Sequence, residues 1–347
     1  MNTNDDFIIY GAGNIGRAML EAGFRPRFFL DAAPRGTVDG ISVFEPDATA
    51  PELRTKPVIV AVFSPPEQCA AGTILKHLAQ LGYQHTVDFE SFYQNHSEKF
   101  GRNFFWLAPV NFFKARRDRI AAAESLLADA SGVELYRLQI AHRMGAPWTV
   151  LPPPSPVDWQ YFDPSVPLKL PPDFFFVDVG AFTGDTLPAA AGRILAMEPD
   201  GKNFSALQKA VASTPELKNK TKLLNAGSGE HAGRAAVVRS GSSAQLRDDE
   251  TGTIDIVKLD DVCAEPPDYI KMDIEGAELS ALRGAEKLIR RHAPALAISV
   301  YHRPDDLFEL PLMLSSWRPD YRFFLRCYGS HAMETVLYAI PPDKIQK

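Results

Sequence analysis

Three titratable side chains follow two neighbouring predicted strands in the last third of the chain. Asp273 and Glu275 come at alternate positions after the apolar run YIKM, and His302 follows the run ALAISVY. Because adjacent parallel strands end side by side, we expect the three groups to converge at one edge of a sheet. A carboxylate or an imidazole there can take a proton from an acceptor hydroxyl. The sequence therefore predicts an acid–base site with Asp273, Glu275 and His302 as its catalytic residues.

Two more charged residues flank this predicted site. Lys271 precedes Asp273 by two positions, so both side chains share one face of the strand, and we predict a structural ion pair for the lysine. Glu278 begins the following helix, where a solvated or capping charge is expected. Asp, Glu and His could also ligate a divalent ion. The sequence gives no known third ligand position, and we predict no metal site.

A glycine-bearing stretch further upstream, VDVGAFTGDT, ends another apolar run and could hold a cofactor. Asp178 stands at the predicted strand end, where it could meet a cationic amino group or hold the loop. Gly180 and Gly184 bracket the turn, and glycine lets the backbone approach a ligand closely. Glu198 ends the next strand and can accept both hydroxyls of a ribose. The pattern suits S-adenosylmethionine, although the same glycines could form only a turn and Glu198 a solvated strand end.

A second glycine loop, YGAGNIG, occupies Tyr10 to Gly16. Its G-x-G-x-x-G spacing, with Asp31 after the next apolar run, matches a dinucleotide-binding fingerprint. It supports an alternative function as an NAD(P)-dependent oxidoreductase or a nucleotide-binding module. A dinucleotide site needs two mononucleotide halves, and only one short α/β unit is predicted here. The glycines could also serve only tight packing of strand on helix.

The elements that must position these residues alternate between apolar runs and helical patterns, which favours an α/β fold with two Rossmann-like domains. Residues 1–93 are predicted to form a small Rossmann-like accessory domain. Residues 94–172 are predicted to form a helical and proline-rich connector, in which the aromatic residues around Tyr161 could serve as a lid or substrate wall. Residues 173–347 are predicted to form a mixed sheet with an antiparallel edge hairpin, which is typical of a class I methyltransferase domain.

Composition narrows the possible partners. The chain of 347 residues has a net charge of −6, which argues against the basic face of a nucleic-acid groove. Its cysteines, Cys69, Cys263 and Cys327, are widely separated, which fits a reducing compartment and gives no zinc signature. We find neither a signal peptide nor an apolar run near the ~18 residues of a membrane span. We therefore expect a cytoplasmic protein without a nucleic-acid partner or an integral membrane segment.

The sequence resembles the FkbM family of S-adenosylmethionine-dependent methyltransferases over roughly residues 160–340. The resemblance is carried by VDVGAFTGDT, AMEPD, KLDD, DYIKMDIEGAELSALRGA and SVYHRPDDLFELP, in the family's order. It implies a class I methyltransferase fold and methyl transfer, usually to a hydroxyl oxygen. The acceptor would be a small molecule or a glycan, such as a sugar or a secondary metabolite.

The resemblance also implies roles for individual residues. Asp273 would face the methyl group. Phe182 departs from the wider superfamily, which prefers the middle glycine of a G-x-G-x-G loop at this position. The residues implied to bind the cofactor are Asp178, Gly180, Gly184, Glu198 and Asn225, the last of them near the adenine.

Overall fold

The structure is a computed structural model that describes residues 6–33, 36–62, 71–101, 104, 106–240, 243–249 and 251–346. Cys69 lies outside these residues. The sequence predicts domain boundaries after residues 93 and 172. That the three segments fold as separate domains stays a prediction. The chain forms two compact units: unit 1 is Met1–Arg116, Leu138–Pro153 and Gly329–Ala332, and unit 2 is Arg117–Arg137, Pro154–Tyr328 and Met333–Lys347.

Unit 1 is built on short, apolar strands. Its strands are β1 (Ile8–Tyr10), β2 (Phe29–Leu30), β3 (Thr37–Val38), β4 (Ile41–Phe44), β5 (Val58–Val60) and β6 (Thr86–Asp88). Its helices are α1 (Asn14–Glu21), α2 (Ala71–Gln80), α3 (Phe89–Gln94), α4 (Ser97–Phe100) and α5 (Val110–Lys114).

The six strands of unit 1 form one sheet in the order β3-β4-β2-β1-β5-β6. All neighbouring pairs are parallel except β3 with β4. The central strands β1 and β5 are buried along their whole length, as expected when both faces of a parallel sheet are covered. The GAGNIG loop follows β1, so it lies at the carboxyl edge of the middle of this sheet.

Unit 2 begins with two helices and continues as an α/β chain. Its helices are α6 (Arg117–Glu124), α7 (Ala130–Arg143, whose end belongs to unit 1), α8 (Gly201–Ser213), α9 (Pro215–Lys218), α10 (Leu259–Val262), α11 (Glu278–Arg283), α12 (Glu286–His292) and α13 (Asp306–Trp317). Its strands are β7 (Phe175–Val179), β8 (Arg193–Met197), β9 (Thr221–Leu224), β10 (Gly227–Ser228), β11 (Gly233–Ser240), β12 (Ser243–Asp248), β13 (Ile254–Val257), β14 (Tyr269–Met272), β15 (Ala295–Ser299), β16 (Arg322–Cys327) and β17 (Thr335–Ile340).

The main sheet of unit 2 has seven strands in the order β16-β17-β15-β14-β7-β8-β9. The run from β15 to β9 is parallel, whereas β17 pairs antiparallel with both β15 and β16. The fold class predicted from the sequence, including the antiparallel hairpin at the sheet edge, is confirmed. A separate sheet in the order β10-β13-β11-β12 is inserted before β14.

The middle of the main sheet is buried on both faces. Every residue of β14 and of β15 is buried, and they include Lys271 and Ser299. Strands of this kind need helices on both sides, and α8, α11, α12 and α13 supply apolar faces such as Leu207 and Leu282. None of the described helices combines the length and the hydrophobicity that a membrane crossing requires.

Candidate active site

The loop after β7 passes over the end of β14 at very short range. Gly180 has a φ of 88°, and a Cβ built on it would lie 2.0 Å from the carbonyl oxygen of Asp273. The Gly180 and Ala181 amides both donate to the carbonyl oxygen of Met197, at 3.0 and 2.9 Å. Glycine is therefore required at this position for two reasons: the backbone is left-handed, and there is no room for a side chain.

Gly184, at the other end of the loop, also has a positive φ of 90°. A Cβ there would approach the Leu207 side chain on α8 to 2.9 Å. Between the two glycines, Phe182 has a φ of 46° and an exposed ring. The residue that departs from the superfamily pattern thus adopts the left-handed conformation for which glycine is usually selected.

Glu198, just past the end of β8, is buried and joins two stretches of backbone. One carboxylate oxygen accepts from the Phe182 amide at 3.0 Å and the other from the Asp200 amide at 2.8 Å. Burial raises the pKa of this carboxyl, and those two amides oppose the rise. Asn225 lies next to it, because its side-chain amide donates to the Glu198 carbonyl oxygen at 2.8 Å. The structure thus brings these two predicted cofactor residues together with the loop.

Asp178 lies beneath the loop and not on its surface. Its side chain is fully buried, 3.0 Å from the Lys271 ammonium, and accepts from the Thr186 hydroxyl at 2.6 Å. Lys271 also donates to the Gly180 carbonyl oxygen at 2.7 Å. The predicted ion pair of Lys271 is confirmed, and its partner is the aspartate we expected beside the cofactor. Asp178 can therefore support the loop through Lys271.

Asp273 sits where the loop and β14 meet. Its carboxylate accepts from the Tyr161 hydroxyl at 2.7 Å. Burial would raise the pKa of Asp273, but the charges of His302 and Lys271 and the Tyr161 hydrogen bond hold it below its ordinary value. Asp273 is therefore a carboxylate near neutral pH.

Tyr161 is held in place by two other tyrosines. Its amide donates to the Tyr338 hydroxyl at 3.0 Å, and its carbonyl oxygen accepts from the Tyr269 hydroxyl. These contacts fix the residue at a φ of 71°, a costly conformation for a tyrosine. Sequence analysis places Tyr161 in an aromatic lid or wall but does not identify its hydrogen bond to Asp273. An aromatic cluster just before a cofactor loop was the only signal.

His302 connects three carboxylates at the end of β15. Its Nδ1 lies 2.8 Å from Glu278, and its Nε2 lies 3.5 Å from Asp273 and 3.9 Å from Glu275. The imidazole is buried, and its Nε2 has no hydrogen-bond partner among the described residues. The three residues that we predict to be catalytic are thus neighbours in the structure.

Glu278 proves to be a buried part of this cluster. Its side chain is fully buried and accepts from the Ile274 amide at 2.8 Å while it contacts His302. The alternative of a solvated charge is therefore wrong. The amide that Glu278 accepts from belongs to Ile274, which precedes α11, so this contact does not cap the helix.

The electrostatics of the cluster assign protonation states. Burial would lower the pKa of His302, but Glu278, Asp273 and Glu275 raise it to about 10. Burial also raises the pKa of Glu275, against the opposing charge of His302. At neutral pH the imidazole is therefore a cation that neutralises its neighbours, and it is not itself a proton acceptor.

The stability of the protein should depend on pH through His302. Its pKa is raised above the ordinary 6.5 to about 10, so this contribution is complete below pH 6.5 and is lost as the pH rises through 10. From this group alone, the free energy of unfolding should fall by about 1.4 kcal/mol per pH unit in that window. Urea unfolding at several pH values would measure the slope, which should be shallower in His302→Gln. Parallel curves for the two proteins would contradict the assignment.

A cation could in principle be shared here, because Asp273, Glu278 and His302 offer ligand atoms within 4.8 Å of one another. A metal ion would have to displace the proton of His302, and the pKa of about 10 opposes that exchange. The charge of His302 already balances the carboxylates that an ion would otherwise neutralise. Our expectation of a site without metal stays a prediction.

The GAGNIG loop of unit 1 is shaped in a related way. Gly11 has a φ of 106°, and a Cβ on it would lie 2.7 Å from the Ala61 carbonyl oxygen. Asp31 accepts from the Ala12 amide at 3.0 Å, and a Cβ on Gly16 would clash with the Gly11 carbonyl oxygen. These contacts are consistent with glycines that serve tight packing of the loop. They also place the Asp31 carboxylate beside the loop, as a nucleotide site would require.

Comparison with known proteins finds a family model that matches part of the chain. Residues 178–324 match the family model described as the methyltransferase FkbM domain. That range contains every residue we predict to be catalytic or cofactor-binding. A search of curated proteins finds no match to this chain.

One solved structure has the same fold over most of this chain, and two others match about half of the chain more distantly. Methyltransferase FkbM from Methylobacillus flagellatus KT is 23% identical, with a TM-score of 0.75 over 96% of this chain and 89% of that one. Precorrin-6y C5,15-methyltransferase from Geobacter metallireducens GS-15 is 15% identical, with a TM-score of 0.32 over 50% of this chain and 83% of that one. Aeropyrum pernix fibrillarin in complex with S-adenosyl-L-methionine is 10% identical, with a TM-score of 0.33 over 50% of this chain and 69% of that one.

The family model and the fold agree with the motifs read from the sequence. They confirm the resemblance to the FkbM family, whereas the accessory role of residues 1–93 stays a prediction. Residues 178–324 are therefore similar to the methyltransferase FkbM domain, and the chain shares the fold of a solved methyltransferase FkbM.

Proposed function

We propose that the protein is an S-adenosylmethionine-dependent methyltransferase that acts on a hydroxyl oxygen of a small-molecule or glycan acceptor. One observation carries the proposal. The Gly180 loop crosses the end of β14 so closely that its Cβ position is 2.0 Å from the Asp273 carbonyl oxygen. A loop suited to a cofactor and an acid–base cluster therefore share one edge of the same sheet, which is where open α/β sheets bind ligands.

The residues present fit S-adenosylmethionine. The glycine loop packs tightly against the end of β14, so its backbone lies at the carboxyl edge of the sheet, where a ligand can approach it. Each carboxylate oxygen of Glu198 accepts one amide and keeps lone-pair capacity for a ribose hydroxyl. Glu198 and Gly180 would thus hold the cofactor, with Gly184 and Asn225 shaping the pocket around them. Asp178 would act through Lys271 on the loop.

In the proposed reaction the bound cofactor would supply its methyl group to the acceptor oxygen and would leave as the thioether. The protein has to orient the acceptor oxygen, and Asp273, fixed by Tyr161, is placed to do so. Glu275, whose pKa is raised by burial, would take the hydroxyl proton, while the His302 cation holds both carboxylates in place.

Ligand binding tests this proposal without knowledge of the acceptor. Calorimetry with S-adenosylhomocysteine should detect binding to the wild type, and Glu198→Ala should weaken it about 100-fold. Two hydrogen bonds to a charged group are lost, at about 1.5–3 kcal/mol each before compensation by water. Glu198→Gln keeps the shape of the side chain and should give an intermediate affinity. Circular dichroism would show that each variant is folded.

Asp31→Ala is the matched control, because Asp31 makes a similar contact to a glycine loop in unit 1. Its affinity for S-adenosylhomocysteine should equal that of the wild type. The alternative of an NAD(P)-dependent oxidoreductase or a nucleotide-binding module predicts binding of NAD(H) that is lost in Asp31→Ala. That result, together with no response to S-adenosylhomocysteine, would overturn the proposal.

The composition supports two further parts of the proposal. A net charge of −6 favours a small-molecule or glycan acceptor over a nucleic acid. The scattered cysteines favour a reducing, cytoplasmic location. A radiolabelled methyl-transfer screen over sugars, secondary metabolites and RNA would test the acceptor class.

A further inference from the structure

A compact group of two histidines and one glutamate lies within unit 1. Glu90 is on α3, His142 is near the end of α7, and His331 is in the segment Gly329–Ala332. His142 Nε2 and His331 Nδ1 each lie 3.3 Å from the same oxygen, Glu90 Oε2. The three side chains are only 8%, 7% and 12% exposed for His142, His331 and Glu90 respectively. Three distant parts of the sequence therefore bring their polar atoms to one enclosed point.

The separations between these atoms match those of metal ligands. Zinc bonds of about 2.0–2.1 Å in a tetrahedron place neighbouring ligand atoms about 3.3–3.4 Å apart. Both measured nitrogen–oxygen distances are 3.3 Å, and all three ligand atoms lie within 4.8 Å of one another. Hydrogen bonds from N–H to oxygen are usually shorter, at about 2.7–3.2 Å. The spacing therefore suits ligation of a shared ion, and without an ion it allows weak hydrogen bonds between the same atoms.

We propose that Glu90, His142 and His331 form a binding site for a divalent transition-metal ion of the zinc class in unit 1. Two imidazoles and one carboxylate are a common ligand set for Zn²⁺ and for other ions that favour imidazole. This site is separate from the Asp273 cluster and independent of the proposed methyl transfer.

The surroundings of the histidines favour ligation. His142 Nδ1 lies 3.0 Å from the Ala146 carbonyl oxygen and donates there, so Nε2 is the ring nitrogen that is directed at Glu90. A backbone acceptor on the second ring nitrogen is the usual support of a metal-binding histidine. His331 has a φ of 57°, a conformation that a histidine rarely adopts unless its surroundings impose it.

The charges are those that an ion requires on its ligands. Burial would raise the pKa of Glu90, but His142 and His331 lower it to about 2, so the ligand is ionised at every physiological pH. Burial would lower the pKa of His142, while its contact with Glu90 raises it and Arg143 opposes that rise. Without an ion the imidazole balances the buried carboxylate. When an ion is bound, the metal supplies the positive charge beside Glu90, and the imidazoles that ligate it are neutral.

Metal binding by the full-length protein without an affinity tag tests the site. After removal of metal with a chelator, titration with Zn²⁺ against a chromogenic chelator should show one tight equivalent in the wild type. Glu90→Gln and His331→Ala should each weaken that binding at least 100-fold. Asp273→Asn, in the other cluster, should leave it unchanged. No tight equivalent, or binding that persists in Glu90→Gln and His331→Ala, would overturn the proposal.

X-ray absorption of the zinc-loaded wild type keeps the proposal testable if a variant fails to fold. The site in unit 1 provides two imidazole ligands, whereas the cluster of Asp273, Glu278 and His302 provides one. A spectrum with two imidazoles supports the proposal. A spectrum with one imidazole would place the ion in the other cluster and exclude the site in unit 1.

Discussion

Replacing Gly180 by alanine is expected to lower the free energy of unfolding by more than about 3 kcal/mol. The residue has a φ of 88°, which a side chain makes costly, and its Cβ would lie 2.0 Å from the Asp273 carbonyl oxygen. That oxygen belongs to the backbone at the end of a buried strand, so it cannot move aside cheaply. Urea unfolding followed by circular dichroism would measure the loss.

Gly201→Ala provides a matched control in the same unit. Gly201 is the first residue of α8, has an ordinary φ and has no atom within 4 Å of its Cβ position. Alanine there should leave stability unchanged or raise it by about 0.4–1 kcal/mol, because the unfolded chain loses freedom. If Gly180→Ala and Gly201→Ala gave the same stability, the close crossing of the loop over β14 would be disproved.

Much of the candidate site could be predicted because the carboxyl ends of parallel strands lie at the same edge of a sheet. Asp273, Glu275 and His302 follow adjacent strands, and Gly180 and Glu198 follow the two strands on the other side. For each of them, the identity of the preceding strand was enough to give its position. The apolar runs around these residues are long and continuous, which makes the order of the strands readable from the sequence.

The partners of individual side chains were beyond the sequence. Tyr161 reaches Asp273 across 112 positions, and nothing in the spacing of the two residues indicates that contact. Asp178 was expected to meet a cationic group of the cofactor or to hold the loop, and the structure pairs it with Lys271 on the next strand. Both residues stand at facing positions of β7 and β14, so their pairing follows from strand register, which apolar runs do not specify.

The two units hold their glycine loops by the same physical means. Asp31 accepts from the Ala12 amide and Glu198 accepts from the Phe182 amide, each from the end of the strand next to its loop. In each case the acid satisfies a backbone donor that the tight turn leaves without a partner. The shared feature explains why both loops resemble cofactor sites in sequence. A glycine spacing of this kind therefore indicates the shape of the loop and does not by itself indicate a bound ligand.

Lys271→Met is expected to cost about 3–5 kcal/mol in the free energy of unfolding, because it leaves the Asp178 charge buried without its partner. The two groups lie 3.0 Å apart with almost no exposure, and the ammonium also holds the Gly180 carbonyl oxygen. The same variant should therefore loosen the loop and weaken binding of S-adenosylhomocysteine. Chemical unfolding and calorimetry would measure the two effects on one protein preparation.

A double-mutant cycle separates the charge from the packing. Asp178→Asn in the Lys271→Met background removes the uncompensated charge, so the double variant should recover about 2 kcal/mol relative to Lys271→Met alone. Lys222→Met, on β9 of the same sheet, replaces an exposed lysine and should change stability by less than about 0.5 kcal/mol. If the two substitutions at Asp178 and Lys271 were simply additive, the ion pair would not be what supports the loop. The recovery is expected because the neutral amide of Asp178→Asn can still accept the hydrogen bond from the Thr186 hydroxyl. A lone buried carboxylate, in contrast, carries a charge that water cannot reach.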